Sequence, residues 1–83
     1  MDKTILITGA SRGIGFALTQ QFLENGYTVI GTSRTGEIEN LSHPNFTVLE
    51  LDLSKEATIV DFEKAIENRN IKIDYLINNA AIG

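Results

Sequence analysis

The chain is 83 residues long, one small domain or part of a larger one; at this size only about 60–65% of the unfolded surface is buried, so the core is marginal. Seven basic residues against eleven acidic ones give a net charge of −4, which argues against a general nucleic-acid binder with a basic face. Without cysteine there are no disulfides or thiolate zinc sites, which fits a reducing compartment, and no apolar run approaches the roughly 20 residues of a membrane span.

Met1-Asp2-Lys3 leads straight into a strand-like segment with no room for a signal peptide, so a cytoplasmic location is expected. Thr4-Ile5-Leu6-Ile7-Thr8 is a continuous apolar, β-branched run, as in a strand buried on both faces. A glycine-rich loop follows at residues 9–15. Ile14, Ala17, Leu18 and Phe22 then recur at spacings of three and four, one stripe of an amphipathic helix. Asn25-Gly26 is a helix stop, and Tyr27-Thr28-Val29-Ile30-Gly31-Thr32 reads as a second strand. Residues 35–45 are polar and turn-rich, with one helical turn expected near Ile38 and Leu41. Phe46-Thr47-Val48-Leu49-Glu50-Leu51 reads as a third strand. Ser54 is the expected N-cap of a helix whose apolar stripe is Ile59, Phe62 and Ile66. A fourth strand is expected from Ile71 to Ile77, ending at Asn78-Asn79. Strands alternating with helices imply βαβ units with right-handed crossovers and a parallel sheet, so the expected class is α/β.

The chemistry begins at Thr8-Gly9-Ala10-Ser11-Arg12-Gly13-Ile14-Gly15. Three glycines between a strand and a helix are the context a dinucleotide site requires. Gly9 lets the chain turn tightly out of the strand, Gly13 clears the approach of a pyrophosphate, and Gly15 lets the helix pack close to the sheet. The helix N-terminus offers N–H groups and a positive dipole end to phosphates. No Gly-Lys-Ser/Thr follows the glycines, which excludes a P-loop.

Three segments in order, Thr8 to Gly15, Asp52-Leu53 after the third strand, and Asn78-Asn79-Ala80-Ala81-Ile82-Gly83 after the fourth, resemble the short-chain dehydrogenase/reductase family over the whole 83 residues. The resemblance implies a Rossmann-type parallel sheet of strand order 3-2-1-4 with flanking helices. Residues 1–83 would be the N-terminal part of a single NAD(P)-binding domain whose catalytic half is absent. Gly9, Ser11, Arg12, Gly13, Ile14 and Gly15 would line the diphosphate and adenosine. Asp52 would accept from the adenine amino group, with Leu53 giving a backbone contact. Asn79 and Ala80 would sit against the adenosine ribose, while Asn78 would tie neighbouring strands together. Ala81 departs from the family's usual glycine.

The family's catalytic serine and Tyr-x3-Lys are not present: Tyr27 is followed four residues later by Gly31, and Tyr75 by Asn79. Both tyrosines are expected in the core, and His43 in a turn. A site for NAD places an acid about 20 residues past the glycines, on the ribose 2′-hydroxyl. Here that place reads Gly31-Thr32-Ser33-Arg34-Thr35, without one. Arg34 and Arg12 are expected to close on a 2′-phosphate, with Ser33 donating a hydrogen bond, because arginine's planar fork suits a phosphate dianion. NADP(H) is therefore the favoured cofactor and NAD(H) the less favoured. The expected function is the cofactor-binding half of an NADP(H)-dependent oxidoreductase that transfers hydride to or from a small carbonyl or alcohol substrate. The segment alone is expected to be inactive and the full-length protein a homo-oligomer, with neither nucleic acid nor membrane as partner. The alternative is a non-catalytic dinucleotide-binding or interaction module.

Overall fold

In the computed structural model, which describes residues 3–39 and 41–79, the β-branched run after Lys3 forms β1 (Thr4–Thr8) at the centre of a sheet. The chain continues through α1 (Gly13–Glu24), β2 (Thr28–Ser33), β3 (Phe46–Glu50), α2 (Glu56–Asn68) and β4 (Tyr75–Asn78). All pairings are parallel and the strand order is β3-β2-β1-β4, as expected.

Alternation along β1 divides the core into two layers. Ile5 and Ile7 join Val29, Ala10 and Leu23, with Leu18 and Phe22 of α1 packed against them. Leu6 points the other way, to Ile30 and Leu49, where Phe62, Ala65 and Ile66 of α2 cover it. One helix therefore lies on each face, which is why β1 is apolar without interruption.

Both helices end in Schellman motifs. Tyr27 N–H bonds the Phe22 carbonyl at 3.1 Å and Gly26 N–H that of Leu23 at 3.2 Å, while the Tyr27 and Phe22 rings meet edge to face at 5.4 Å. In α2, Ile71 N–H reaches the Ile66 carbonyl at 3.2 Å and Asn70 N–H that of Glu67 at 3.1 Å, with Asn70 at φ +52°.

Several local expectations are corrected. Tyr27 is used by the helix end, so β2 begins at Thr28. The buried line of α1 is Gly15, Thr19 and Leu23, whereas Ile14 is 71% exposed. Thr19 tolerates burial because its hydroxyl donates to the Gly15 carbonyl at 2.8 Å. Among the described residues near Ile38 and Leu41 no helical turn forms: Ser33 and Thr35 both donate to the Glu37 carbonyl, and the two apolar side chains pack on the α1-side core. β4 starts at Tyr75 because Ile71 terminates α2 and Ile73 packs beneath that helix. Tyr75 itself is 52% exposed, with Lys3 Nζ 5.8 Å from its ring centre; it is not a core residue. It lies on an edge strand of the described sheet, with a neighbour on one side only.

Ile7 is fully buried in the central strand. Ile7→Val should lower unfolding stability by about 0.5–1.5 kcal/mol and Ile7→Ala by about 2–5 kcal/mol. Urea denaturation of the two variants checks the gradation, with an unchanged slope expected.

Candidate functional site

The carboxyl ends of β1, β2, β3 and β4 lie side by side, since Thr8 is in register with Asn78 and Ser33 with Glu50. β1 sends one connection towards β2 and the sheet resumes on its other side at β4, which makes a crevice at this end.

The glycine loop occupies that crevice. Gly9 and Gly13 adopt φ +68° and +63°, where side chains are strained. Thr32, 1% exposed on β2, accepts the Gly9 N–H on its hydroxyl at 3.0 Å and the Ala10 N–H on its carbonyl at 2.9 Å. A Cβ on Gly15 would collide with the Gly9 carbonyl and lie 2.6 Å from Asn79 Nδ2. A Cβ on Gly13 would meet nothing within 4 Å, so the loop's outer side is open. Arg12 is the N-cap of α1 without a side-chain cap bond, and no acid stands in the first turn. The positive end of the helix is thus left to an anion.

β4 braces the loop from the other side. Thr8 Oγ1 donates to Asn78 Oδ1 at 3.0 Å and accepts the Asn79 N–H at 2.9 Å. Asn78 therefore ties β4 to β1, as its position suggested. Asn79 Nδ2 donates to the Gly9 carbonyl at 3.1 Å, so this side chain holds the loop. Ala80 lies outside the described residues.

After β3 the chain turns at Asp52. Asp52 Oδ1 accepts the Ser54 hydroxyl at 2.6 Å and the Ser54 N–H at 3.0 Å. Ser54 is therefore not the N-cap of α2; that place is taken by Lys55, because the Ser54 side chain turns back to the carboxylate. The buried Thr58 hydroxyl accepts the Asp52 N–H at 2.9 Å and lies 2.8 Å from the Asp52 carbonyl oxygen. The Ser54 hydroxyl above all, then the Ser54 N–H, hold the Asp52 carboxyl below the ordinary carboxylate range against an opposing desolvation, with smaller help from the charges of Lys55 and Arg34. Leu53 follows at 41% exposed.

An open cleft of about 560 Å³ lies between Ser11, Arg12, Gly13 and Phe16 on one wall and Thr35, Glu37, Ile38 and Glu39 on the other. Arg34 is exposed at the end of β2, close enough to Asp52 for their charges to interact. Ser33 is engaged within its own loop. It is 5% exposed and its hydroxyl donates to the Glu37 carbonyl at 2.9 Å, so in this structure its one proton anchors the loop. Thr32, Thr58 and Phe16 were missed as site residues in sequence, and Ser54 entered only as a helix cap although, two residues after an aspartate, it carried a readable turn signal. Among the described residues no group of three His, Cys, Asp or Glu side chains is placed to hold a metal, and no helix is long and apolar enough to cross a membrane.

A sequence model of the family described as short chain dehydrogenase matches residues 3–83. The NADPH-dependent 1-acyldihydroxyacetone phosphate reductase of Schizosaccharomyces pombe is 38% identical over 82 residues, covering 95% of this chain and 28% of that protein. Dehydrogenase/reductase SDR family member 11 of Homo sapiens is 36% identical over 90 residues, 98% of this chain and 35% of its own. A short chain dehydrogenase from Leptospira borgpetersenii serovar Hardjo-bovis, solved with bound NAD+, superposes with a TM-score of 0.84 at 31% identity, over 99% of this chain and 32% of the other. The chain spans about a third or less of the length of the curated relatives it matches.

Gly15→Ala should separate α1 from the loop and lower stability by about 1–3 kcal/mol, the usual cost of overpacking, as measured by chemical denaturation. At Asp52 the sign is that of a depressed acid: its contribution to stability is complete above the ordinary carboxylate pKa and is lost as pH falls through the lower folded value. Ser54→Ala should therefore move the Asp52 titration upward, towards the ordinary range, in a carboxyl-detected NMR titration.

Proposed function

The chain belongs to the short-chain dehydrogenase family, and from that premise we propose that it forms the cofactor-binding part of an NADP(H)-dependent oxidoreductase acting on a small carbonyl or alcohol substrate. The observation that carries this reading is the open face of Gly13 over an uncapped helix end. That face offers backbone N–H groups and room for a diphosphate, so the residues present fit such a group. Gly9, Ser11, Arg12, Gly13, Ile14 and Gly15 would hold the diphosphate and the adenosine beside it. Ile14, an apolar side chain 71% exposed next to the loop, would be covered by the cofactor.

Asp52 would take the adenine amino group on the oxygen that Ser54 does not use, with Leu53 offering backbone nearby. Asn79 would meet the ribose through its carbonyl oxygen, because its nitrogen is bonded to Gly9; Ala80 would follow it. Once bound, a nicotinamide supplies or accepts the hydride. This chain's residues contribute binding and orientation, and the sequence contains no Tyr-x3-Lys to move the substrate proton.

The preference for NADP(H) rests on Arg34 standing where an acid would meet a 2′-hydroxyl, on Arg12 across the loop, and on the likeness to an NADPH-dependent reductase. The Ser33 hydroxyl, bonded to the Glu37 carbonyl, would have to leave that partner to join the two arginines. A second reading, NAD(H), is favoured by Glu37 and Glu39 along the cleft beside Arg12, since carboxylates repel a phosphate, and by the NAD+-bound relative. Fluorescence titration of both cofactors against the full-length protein separates the two. Charge-assisted hydrogen bonds contribute roughly 1.5–3 kcal/mol, about a 10- to 150-fold change in affinity. Arg34→Ala should therefore weaken NADPH at least about tenfold and leave NADH nearly unchanged. Equal losses for both cofactors, or tighter wild-type binding of NADH, would overturn the preference.

A further inference from the structure

We propose that Ser54 is a positioning residue for nucleobase selection: by occupying one oxygen of Asp52 with two donors, it aims the other at a base that presents an amino group. The inference rests on the reading of Asp52 as the adenine contact. Its own support is the geometry of the turn between β3 and α2.

Two donors from one residue converge on Asp52 Oδ1, the Ser54 hydroxyl at 2.6 Å and the Ser54 N–H at 3.0 Å. The shorter of these has the length of a charge-assisted O–H···O⁻ bond. A carboxylate bonded twice through one oxygen has lost its freedom to rotate about χ2 before any ligand arrives. The backbone beneath it is fixed as well. Thr58 Oγ1 accepts the Asp52 N–H at 2.9 Å, and its single proton goes to the carbonyl of Asp52 or of Lys55, each 2.8 Å away. Thr58 holds the main chain of Asp52, while Ser54 holds its side chain.

An ionised carboxylate is an acceptor only. Fixed in place, it rewards a donor such as the 6-amino group of adenine and opposes an acceptor such as the 6-oxo group of hypoxanthine. A carboxylate free to swing would turn away from the wrong base at little cost. Orientation by Ser54 therefore acts on the difference between two bases, not only on affinity for one. Immobilising one side chain in advance corresponds to roughly a 2- to 10-fold change in affinity.

The test measures dissociation constants of the full-length protein for NADPH and NADH, each alongside its analogue with hypoxanthine in place of adenine. Wild type should favour adenine, and Asp52→Ala should abolish that preference. Ser54→Ala should reduce the adenine-to-hypoxanthine preference roughly 2- to 10-fold, the adenine forms weakening and the hypoxanthine forms binding as well as before or better, and Ser54→Thr, which keeps both donors, should restore it. Equal weakening of both bases by Ser54→Ala would show a merely structural role and overturn the inference. So would an unchanged preference in Ser54→Ala when Asp52→Ala abolishes it, although Asp52 would then keep its place at the adenine. An unchanged preference in Asp52→Ala would overturn the adenine contact itself. Ser54 is exposed and outside both core layers, so its variants should fold.

Discussion

The close approach of α1 to the end of β1 depends on a single missing side chain. Any Cβ on Gly15 would strike the Gly9 carbonyl, and the helix would have to retreat from the sheet. Retreat would carry Gly13, the first residue of α1, and the N–H groups of that helix end away from the end of β1. The same contact sets the burial of α1, since Gly15 heads the line that continues through Thr19 and Leu23. Packing and the anion-binding geometry are therefore one constraint: the helix reaches the loop only because it also reaches the core.

Around that contact, polar side chains fix what apolar ones cannot. Thr32 on β2 and Thr8 on β1 each use a hydroxyl to hold loop backbone, and Asn79 joins β4 to the Gly9 carbonyl. Thr58 does the same for the turn at Asp52. Among the described residues every buried side-chain nitrogen and oxygen has a hydrogen-bond partner. Such bonds contribute roughly 1 kcal/mol each in net stability, but an unpaired buried group costs more, so they act chiefly as constraints on geometry. The described residues just past the carboxyl ends of the strands are held this way at one end of the sheet, with Arg34 and Asp52 close enough for their charges to interact.

The fold was legible because its signals are large. Ile5, Leu6 and Ile7 in succession require cover on both faces, and the glycine loop between strand and helix sets the crossover. Parallel pairing followed from the alternation of strands and helices, and the strand order from the family resemblance. What escaped were effects of single polar bonds. Of the expected α1 stripe, Leu18 and Phe22 do pack on the core while Ile14 and Ala17 stay exposed, because the line buried deepest runs through a glycine and a threonine, neither of which registers as apolar. The bond from Ser33 to the Glu37 carbonyl 2.9 Å away is set by how residues 34–37 fold, which no residue pattern announces. Ser54 read as a helix cap, since capping and carboxylate-bonding roles draw on the same hydroxyl and only geometry chooses between them. In the candidate site the glycines were readable for steric reasons, and their supports were not.

A crystal structure of the full-length protein grown with NADPH tests the account most directly. It should place the diphosphate over Gly13 at the start of α1, the adenine against Asp52, and Gly15 still in contact with the Gly9 carbonyl. A cofactor bound away from residues 9–15, or a loop that opens so that α1 leaves Gly9, would contradict it.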